Sequence, residues 1–150
     1  MSDAADSRPP ASREYFIHGV TSSGRVRFEG TGYAPEGEVR REDGLPIEGA
    51  LRVELERTLA AANRVNNAVL QQRDGRWIVQ GDPTEGALYP FGNKLGMDRK
   101  TEQEAYPRID AIPFESEHKF MATLHRAADG MEAIYVKGAP EVIMDACDRQ

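Results

Sequence analysis

Apolar residues recur along the chain with two different periods, and each period predicts a different kind of element. From Pro46 to about Asn63 they recur every three or four residues, which indicates an amphipathic helix. This stripe consists of Leu51, Leu55, Thr58, Leu59 and Ala62. Residues 25–29 instead alternate polar and apolar side chains, which predicts a half-buried strand, and a short β-prone run at residues 15–17 precedes it.

Two Asp-Gly pairs lie between apolar runs and predict β-hairpins. Asp74-Gly75 separates residues 67–70 from residues 77–79, and Asp129-Gly130 separates residues 120–124 from residues 131–136. Aspartate and glycine both tolerate the positive φ angles of tight hairpin turns, so this dipeptide is a strong local signal. Residues 108–113 form a further strand-like run.

Two prolines mark the expected starts of further helices. One helix should begin near Pro83, and Pro90 should end or kink it. The other should begin near Pro140, and its apolar pattern predicts that four residues face the core: Val142, Ile143, Ala146 and Cys147. Residues 98–104 form a polar stretch between the two helices.

These elements predict the class of fold. Hairpins dominate, and the strands do not alternate regularly with helices. We therefore expect an α+β fold, with an antiparallel β-sheet flanked by helices. The Pro-containing polar residues 1–13 are expected to form a flexible tail, and residues 14–150 a single domain.

Composition and charge exclude several classes of protein. The chain is 39% hydrophobic and 29% charged, as in ordinary soluble globular proteins. No apolar run approaches the roughly 20 residues of a membrane-spanning helix, so we expect no direct membrane insertion of this chain. Its net charge of −6 argues against nucleic acid as a partner. The single cysteine, Cys147, excludes an internal disulfide and a Cys-rich zinc site.

Common catalytic and metal-binding motifs are absent from the sequence. There is no phosphate-binding Gly-x-x-x-x-Gly-Lys-Ser/Thr loop, and Gly30-Thr31-Gly32 has its next glycine at position 37, the wrong spacing for a dinucleotide site. The three histidines are scattered along the chain. We therefore expect no catalytic residues and no metal site in this chain.

Three short motifs remain, and each alone has a purely structural interpretation. In residues 81–88 (GDPTEGAL), Asp82, Pro83 and Glu85 suit the start of a helix closed by a capping box. Residues 113–119 (PFESEHK) suit a polar connection with Phe114 buried as a core aromatic. Residues 136–141 (VKGAPE) suit a strand end, a turn and a helix start, with a solvated Lys137.

Together and in this order, the three motifs resemble the nucleotide-binding domain of P-type cation-transporting ATPases. The forms GDPTE, PFESEHK and KGAPE are most similar to the calcium- and sodium/potassium-pump branch, and residues 32–39 (GYAPEGEV) also match the family. The resemblance covers about residues 15–149. It implies that the chain ends before the last strand of this domain and a further nucleotide-contacting arginine, so we expect a truncated C-terminus.

The resemblance implies a set of ATP-binding residues. It places the adenine ring against Phe114, Lys119 close to the phosphates or the ribose, Lys137 on the pocket floor, and Glu85 at the adenine amino group. The residue types suit these roles, because an aromatic face stacks on a purine and lysine is a compact charge for phosphate. A carboxylate accepts a hydrogen bond from the adenine amine, which favours ATP over GTP. Glu85 cannot do this while it also caps the helix.

Two further residues complete the expected site. If residues 119–125 form a strand, Lys119, Met121 and Thr123 share one face, while Phe120, Ala122 and Leu124 face the core. Met121 is then a candidate apolar wall beside the base, although core filling explains it equally well. Gly138 is expected to allow the backbone to approach the ligand closely, and Asp82 to act only as a helix cap.

For the function, the resemblance implies a cytoplasmic domain of an integral membrane protein that presents ATP to an aspartate in a separate phosphorylation domain. The aspartate motif (Asp-Lys-Thr-Gly-Thr) is absent here, so the isolated domain is expected to be inactive. Mg²⁺ would act only in the intact enzyme, and the phosphorylation and actuator domains would be the partners. Two alternatives remain: a free-standing nucleotide-binding or regulatory module, and a structural or interaction domain.

Overall fold

The fold is described from a computed structural model, which covers residues 17–30, 33–34 and 36–148. The expected tail at residues 1–13 and the start of the β-prone run at residues 15–17 lie outside the described residues. The described strands are β1 Ile17–Thr21, β2 Gly24–Phe28, β3 Val39–Arg41, β4 Val69–Arg73, β5 Arg76–Gln80, β6 Arg108–Glu115, β7 Phe120–Arg126 and β8 Glu132–Gly138. The described helices are α1 Gly49–Arg64, α2 Pro83–Lys94, α3 Arg99–Ala105 and α4 Pro140–Ala146.

The strands form antiparallel sheets, and the α+β class is confirmed. In the described part of the chain they are divided among three small sheets, with the orders β1-β2-β3, β4-β5 and β6-β7-β8. In the third sheet β7 is the central strand, and its register pairs Met121 with Lys137 and Ala122 with Ile112. This register brings the motifs at residues 113–119 and 136–141 to the same end of one sheet.

The apolar core lies on one side of the molecule, between α1, α2 and the first sheet. The predicted stripe of α1 supplies Leu51, Leu55 and Leu59, each no more than 6% exposed, whereas Thr58 faces solvent. The core also contains Phe28 of β2 and Phe91 of α2, whose ring centroids lie 4.8 Å apart. The 3.6-residue period of α1 therefore identified its buried face.

Both predicted hairpins form. Asp74 and Gly75 have φ angles of 50° and 74°, which is the mirror-image turn that suits the twist of paired strands. The second hairpin, β7-β8, has a longer loop in which Gly130 has a φ of 83° and the backbone N–H of Ala127 donates to the carbonyl of Met131. Glycine is needed in each loop because it adopts positive φ without steric cost.

Two expectations about the helices were wrong in part: Pro90 does not end α2, and α4 buries fewer residues than expected. Helix α2 continues past Pro90 to Lys94, because Tyr89, Pro90 and Phe91 are all buried and their packing offsets the hydrogen bond that proline cannot make. Helix α4 buries less than its pattern indicated.

In α4, Val142 and Ile143 are only half-buried, and Ala146 is exposed. The helix ends at Ala146, and Cys147 already has an extended backbone, with φ −87° and ψ 129°, so its side chain leaves the helical face and is exposed.

Two elements were not predicted from the sequence. The polar stretch at residues 98–104 contains α3, whose first turn is capped by the Asp98 carboxylate accepting from the Thr101 N–H at 3.0 Å. Strand β3 has three residues, too few to show a period, and forms by pairing with β2.

Candidate functional site

An open cleft of about 520 Å³ lies where the start of α2 meets one end of the β6-β7-β8 sheet. It includes five of the six residues predicted to bind ATP: Glu85, Phe114, Met121, Lys137 and Gly138. The remaining lining residues are Asn67, Asp82, Thr84, Leu88 and Pro113. Segments that are far apart in the sequence therefore converge on one concave surface.

Asp82 caps helix α2 and so fixes one wall of the cleft. Its Oδ1 accepts the backbone N–H groups of Thr84 at 2.7 Å and Glu85 at 3.1 Å. The hydrogen bond from the Glu85 N–H, and to a smaller extent the one from the Thr84 N–H, lowers the pKa of the Asp82 carboxyl. The expected role of Asp82 as a cap is confirmed, and the Glu85 carboxylate is not required for it.

The Glu85 carboxylate turns instead towards the cleft and pairs with Lys137. Its Oε2 accepts the backbone N–H of Asn67 at 3.0 Å, and its Oε1 forms an ion pair with Lys137 Nζ. The side chains of Glu85 and Lys137 are 16% and 30% exposed, so the pair is partly shielded from water. The carboxylate keeps further lone pairs and the ammonium keeps further N–H donors, so both can still bind a ligand.

Phe114 lies exposed at the rim of the cleft. The residue is 58% exposed, which contradicts the structural interpretation of a buried core aromatic. It lies within an irregularity between Ile112 and Glu115, where the register of β6 against β7 shifts. A bulge re-aims the side chains of a strand, and such features often occur next to functional sites. The ring is therefore available for stacking against a ligand.

Met121 lies at the bottom of the cleft and is 1% exposed. The expected division of strand faces was wrong in one respect: Met121 and Thr123 form the more deeply buried row, while Phe120 and Leu124 are half-buried and Ala122 is buried as well. This row faces the segments that follow α1 and α3, since the Met121 sulfur lies 3.9 Å from Asn67 Nδ2 and His125 Nδ1 lies 2.8 Å from the Tyr106 carbonyl. Met121 therefore fills the core and lines the cleft at the same time.

Lys119 lies beside the cleft, outside the described residues that line it. It occupies the turn before β7 with a φ of 58°, and its side chain is 57% exposed. Its Nζ lies 3.8 Å from Glu141 Oε1, at the start of α4. Its role towards a phosphate or ribose stays a prediction.

Gly138 is required by the protein's own backbone. A Cβ at this position would lie 2.4 Å from the carbonyl oxygen of Lys119, which also accepts the Ala139 N–H at 2.9 Å. Glycine is therefore needed here to let β8 close against the turn at Lys119. Its expected role in the close approach of a ligand stays a prediction.

Sequence reasoning missed Asn67 as a residue of the site. Its backbone N–H holds Glu85, and its Nδ2 lies 3.9 Å from the Met121 sulfur. No local pattern marks this position, because its partners lie 18 and 54 residues further along the chain. Thr84, Leu88 and Pro113 lie within or next to motifs that had been recognised.

A family model decides the family of this chain. The model describes the cytoplasmic domain N of P-type ATPases and matches residues 54–150, which include all three motifs. The chain belongs to this family. The resemblance inferred from the motifs is thus confirmed, and the family's own description agrees with the expected cytoplasmic location of this domain N.

Curated relatives carry the same family relationship. The chain is 38% identical over 128 residues to a probable cation-transporting ATPase F of Mycobacterium tuberculosis, covering 85% of this chain and 14% of the relative. It is 39% identical over 138 residues to the cation-transporting ATPase pma1 of Synechocystis sp., covering 88% and 15%. It is 37% identical over 134 residues to the calcium-transporting ATPase type 2C member 1 of Bos taurus, covering 87% and 13%.

This domain N thus spans about one seventh of the length of the relatives that it matches. In the described part of the chain, no helix is both long and apolar enough to cross a membrane. Across the same residues, no group of three or more His, Cys, Asp or Glu side chains is placed to hold a metal ion.

Proposed function

We propose that this domain N binds ATP in the cleft and presents it to an aspartate in a separate phosphorylation domain of a cation-transporting ATPase. The observation that carries the proposal is the convergence of an exposed aromatic ring, Phe114, with the half-buried Glu85–Lys137 pair above an apolar floor. Ligand sites commonly combine apolar walls with a few polar groups in this way.

The adenine base is proposed to stack on Phe114. The ring is already exposed, so stacking requires no rearrangement of the core and removes apolar surface from water. Met121 and Leu88 supply apolar contacts from the floor and the α2 wall. One aromatic stack contributes about 1–3 kcal/mol per base, so Phe114 is expected to dominate the affinity.

The Glu85–Lys137 pair is proposed to select the base. A free lone pair of the Glu85 carboxylate accepts a hydrogen bond from the amino group of adenine, and the Lys137 ammonium donates one to a ring nitrogen. Guanine carries a carbonyl oxygen where adenine has this amino group, so its oxygen would face a carboxylate. A mismatched, desolvated polar contact of this kind is unfavourable, which supports a preference for ATP over GTP.

Lys119 is proposed to meet the phosphates outside the cleft. Its exposed ammonium lies only 3.8 Å from the Glu141 carboxylate, and a nucleotide phosphate can replace this exposed partner at little energetic cost. Phosphoryl transfer itself would take place on the separate domain, where Mg²⁺ supplies charge neutralisation in the intact enzyme. The much greater length of the cation-transporting relatives supports a role as one domain of such a pump.

An NMR titration with ATP and with GTP tests this proposal. We expect ATP to shift the backbone amides of Glu85, Phe114 and Lys137, with a Kd on the order of 0.1 to several mM, because one stack and two cations must offset the cost of association. Phe114→Ala should weaken ATP binding about tenfold or more, since it removes the stack.

Ile134→Ala is the matched control for this variant. Ile134 is also a large exposed apolar residue of the same sheet, at 68% exposure, but it does not line the cleft. Its truncation should leave ATP affinity unchanged. Equal ATP affinity in Phe114→Ala and wild type, or shifts that avoid the cleft, would contradict the proposed function.

A further inference from the structure

Asn67 links the cleft to an arginine that lies outside it. On the cleft side, its backbone N–H donates to Glu85 Oε2 at 3.0 Å. On the other side, its Oδ1 accepts from Arg108 Nη1 at 2.7 Å. One residue therefore connects the Glu85 carboxylate in the cleft with the guanidinium at the start of β6.

Arg108 holds the short loop that follows α1. Its Nη2 donates to the carbonyl oxygens of Arg64 at 2.9 Å and Asn66 at 3.0 Å, in addition to the bond from Nη1 to Asn67. The Arg64 carbonyl lies at the C-terminal end of α1, where the helix dipole favours a cation. The planar fork of arginine can satisfy several acceptors in fixed directions, which lysine cannot.

Asn66 provides a second connection from the same loop to Glu85. Its Nδ2 donates to the backbone carbonyl of Glu85 at 2.7 Å, and its Oδ1 accepts the Ala68 N–H at 2.9 Å. The residue is 4% exposed, so these bonds are shielded from water. The Asn66-Asn67 pair thus holds both the main chain and the side chain of Glu85.

We propose that Arg108 is a positioning residue for base selection: by fixing Asn66 and Asn67, it orients the Glu85 carboxylate. The inference rests on the proposed function, because Glu85 is the group proposed to distinguish adenine from guanine. A carboxylate discriminates between bases only if it is held in place before the ligand arrives. Arg108 does not line the cleft, so its effect must pass through the two asparagines.

The first experiment needs no nucleotide and compares Arg108→Gln with Arg99→Gln. Arg99 lines the same neighbouring cavity of about 410 Å³ as Arg108, but it donates to the Ala68 carbonyl at 3.0 Å, whereas the Asn67 side chain accepts from Arg108. We expect Arg108→Gln to change the ¹³C shift of the Glu85 carboxyl group, and Arg99→Gln to leave it as in wild type. An unchanged Glu85 signal in a folded Arg108→Gln protein would overturn the inference.

The second experiment measures the ratio of ATP affinity to GTP affinity. Arg108→Gln should lower this ratio about threefold or more, whereas Arg99→Gln should preserve it. Asn67→Ala should lower the ratio similarly, since it removes the Oδ1 acceptor but keeps the backbone N–H and leaves the other two Arg108 bonds intact. The double variant should show no further loss relative to Arg108→Gln, because that change already removes the bond to Asn67.

Each outcome of these experiments bears on one of the two proposals. Equal weakening of ATP and GTP in Arg108→Gln would indicate a merely structural role and overturn the inference. If Arg108→Gln does not fold, Asn67→Ala decides the same question, and an unchanged ratio there would overturn it. If wild type binds no nucleotide, the proposed function fails, and with it the assignment of base selection to Arg108, whatever the Glu85 signal shows.

Discussion

His125 is a buried polar residue of the central strand β7 and is 5% exposed. Its Nδ1 lies 2.8 Å from the Tyr106 carbonyl, so this nitrogen must carry the proton and donate. Its Nε2 then accepts from Thr123 Oγ1 at 2.9 Å. Burial lowers the pKa of His125, and the nearby Arg108 and Arg64 cations act in the same direction, against the Tyr106 carbonyl.

This environment predicts that acidification destabilises the protein. In the unfolded chain the histidine binds a proton near pH 6.5, but in the folded protein His125 does so only at lower pH. The contribution of neutral His125 to the free energy of unfolding is therefore complete above pH 6.5 and is lost as the pH falls below it. The free energy of unfolding should fall by at most about 1.4 kcal/mol per pH unit from this residue. Urea unfolding between pH 5 and pH 8 measures it.

His125→Gln is the control for this measurement, because glutamine has no titratable group. The variant keeps His18 and His118, so the two proteins differ only at the buried histidine. The pH dependence should be shallower in the variant. Parallel profiles for the two proteins would show that His125 is not responsible.

At the scale of single residues, the sequence identified the parts of the site that have local signals. Asp82 was predicted as a cap because the cap and the N–H groups that it binds lie within three residues. Glu85 had two competing roles in the sequence, and only its partners on distant segments, Asn67 and Lys137, show which way the carboxylate turns. Arg108 could not be recognised, since its acceptors lie more than 40 residues away.

At the scale of the elements, helix α2 packs closely on β5 through Gly86. A Cβ at Gly86 would lie 2.4 Å from each Cγ atom of Val79, so the missing side chain lets the helix approach the strand. Helix propensity alone predicts that alanine in place of glycine inside a helix stabilises it by about 1 kcal/mol. Packing predicts the opposite sign.

We expect Gly86→Ala to destabilise the protein by about 1–3 kcal/mol, the usual effect of overpacking a buried contact. Val79→Ala removes both Cγ atoms, so the double variant should recover part of this loss. Urea unfolding of wild type, both single variants and the double variant measures the coupling. A Gly86→Ala protein more stable than wild type would show that propensity outweighs the contact.

The elements that could be predicted are those defined within one segment. Helix α1 and the β4-β5 hairpin follow from a 3.6-residue period and an Asp-Gly turn, and both were confirmed. Strand β3 depends on its pairing with β2, and the passage of α2 through Pro90 depends on burial of the surrounding turn. Such tertiary effects leave no periodic pattern in the sequence.

At the scale of the whole molecule, two kinds of packing hold the described elements together. The first sheet, α1 and α2 share an apolar core. The β6-β7-β8 sheet is joined to α1 by polar groups around Arg64, which bonds the Tyr135 hydroxyl of β8 and whose guanidinium lies 4.9 Å over the Tyr135 ring. The cleft lies on this polar side, and the Glu85–Lys137 pair joins its two walls, so a ligand that binds this pair contacts both walls.

In the proposed function, adenine occupies the cleft against Phe114. Intermolecular nuclear Overhauser effects in a sample of this chain with ATP test it most directly. We expect contacts from adenine H2 and H8 to the Phe114 ring protons and the Leu88 methyl groups, which line the cleft from the sheet and from α2. Saturating ATP that gives no contact to either residue, or gives contacts only to side chains outside the cleft, would contradict it.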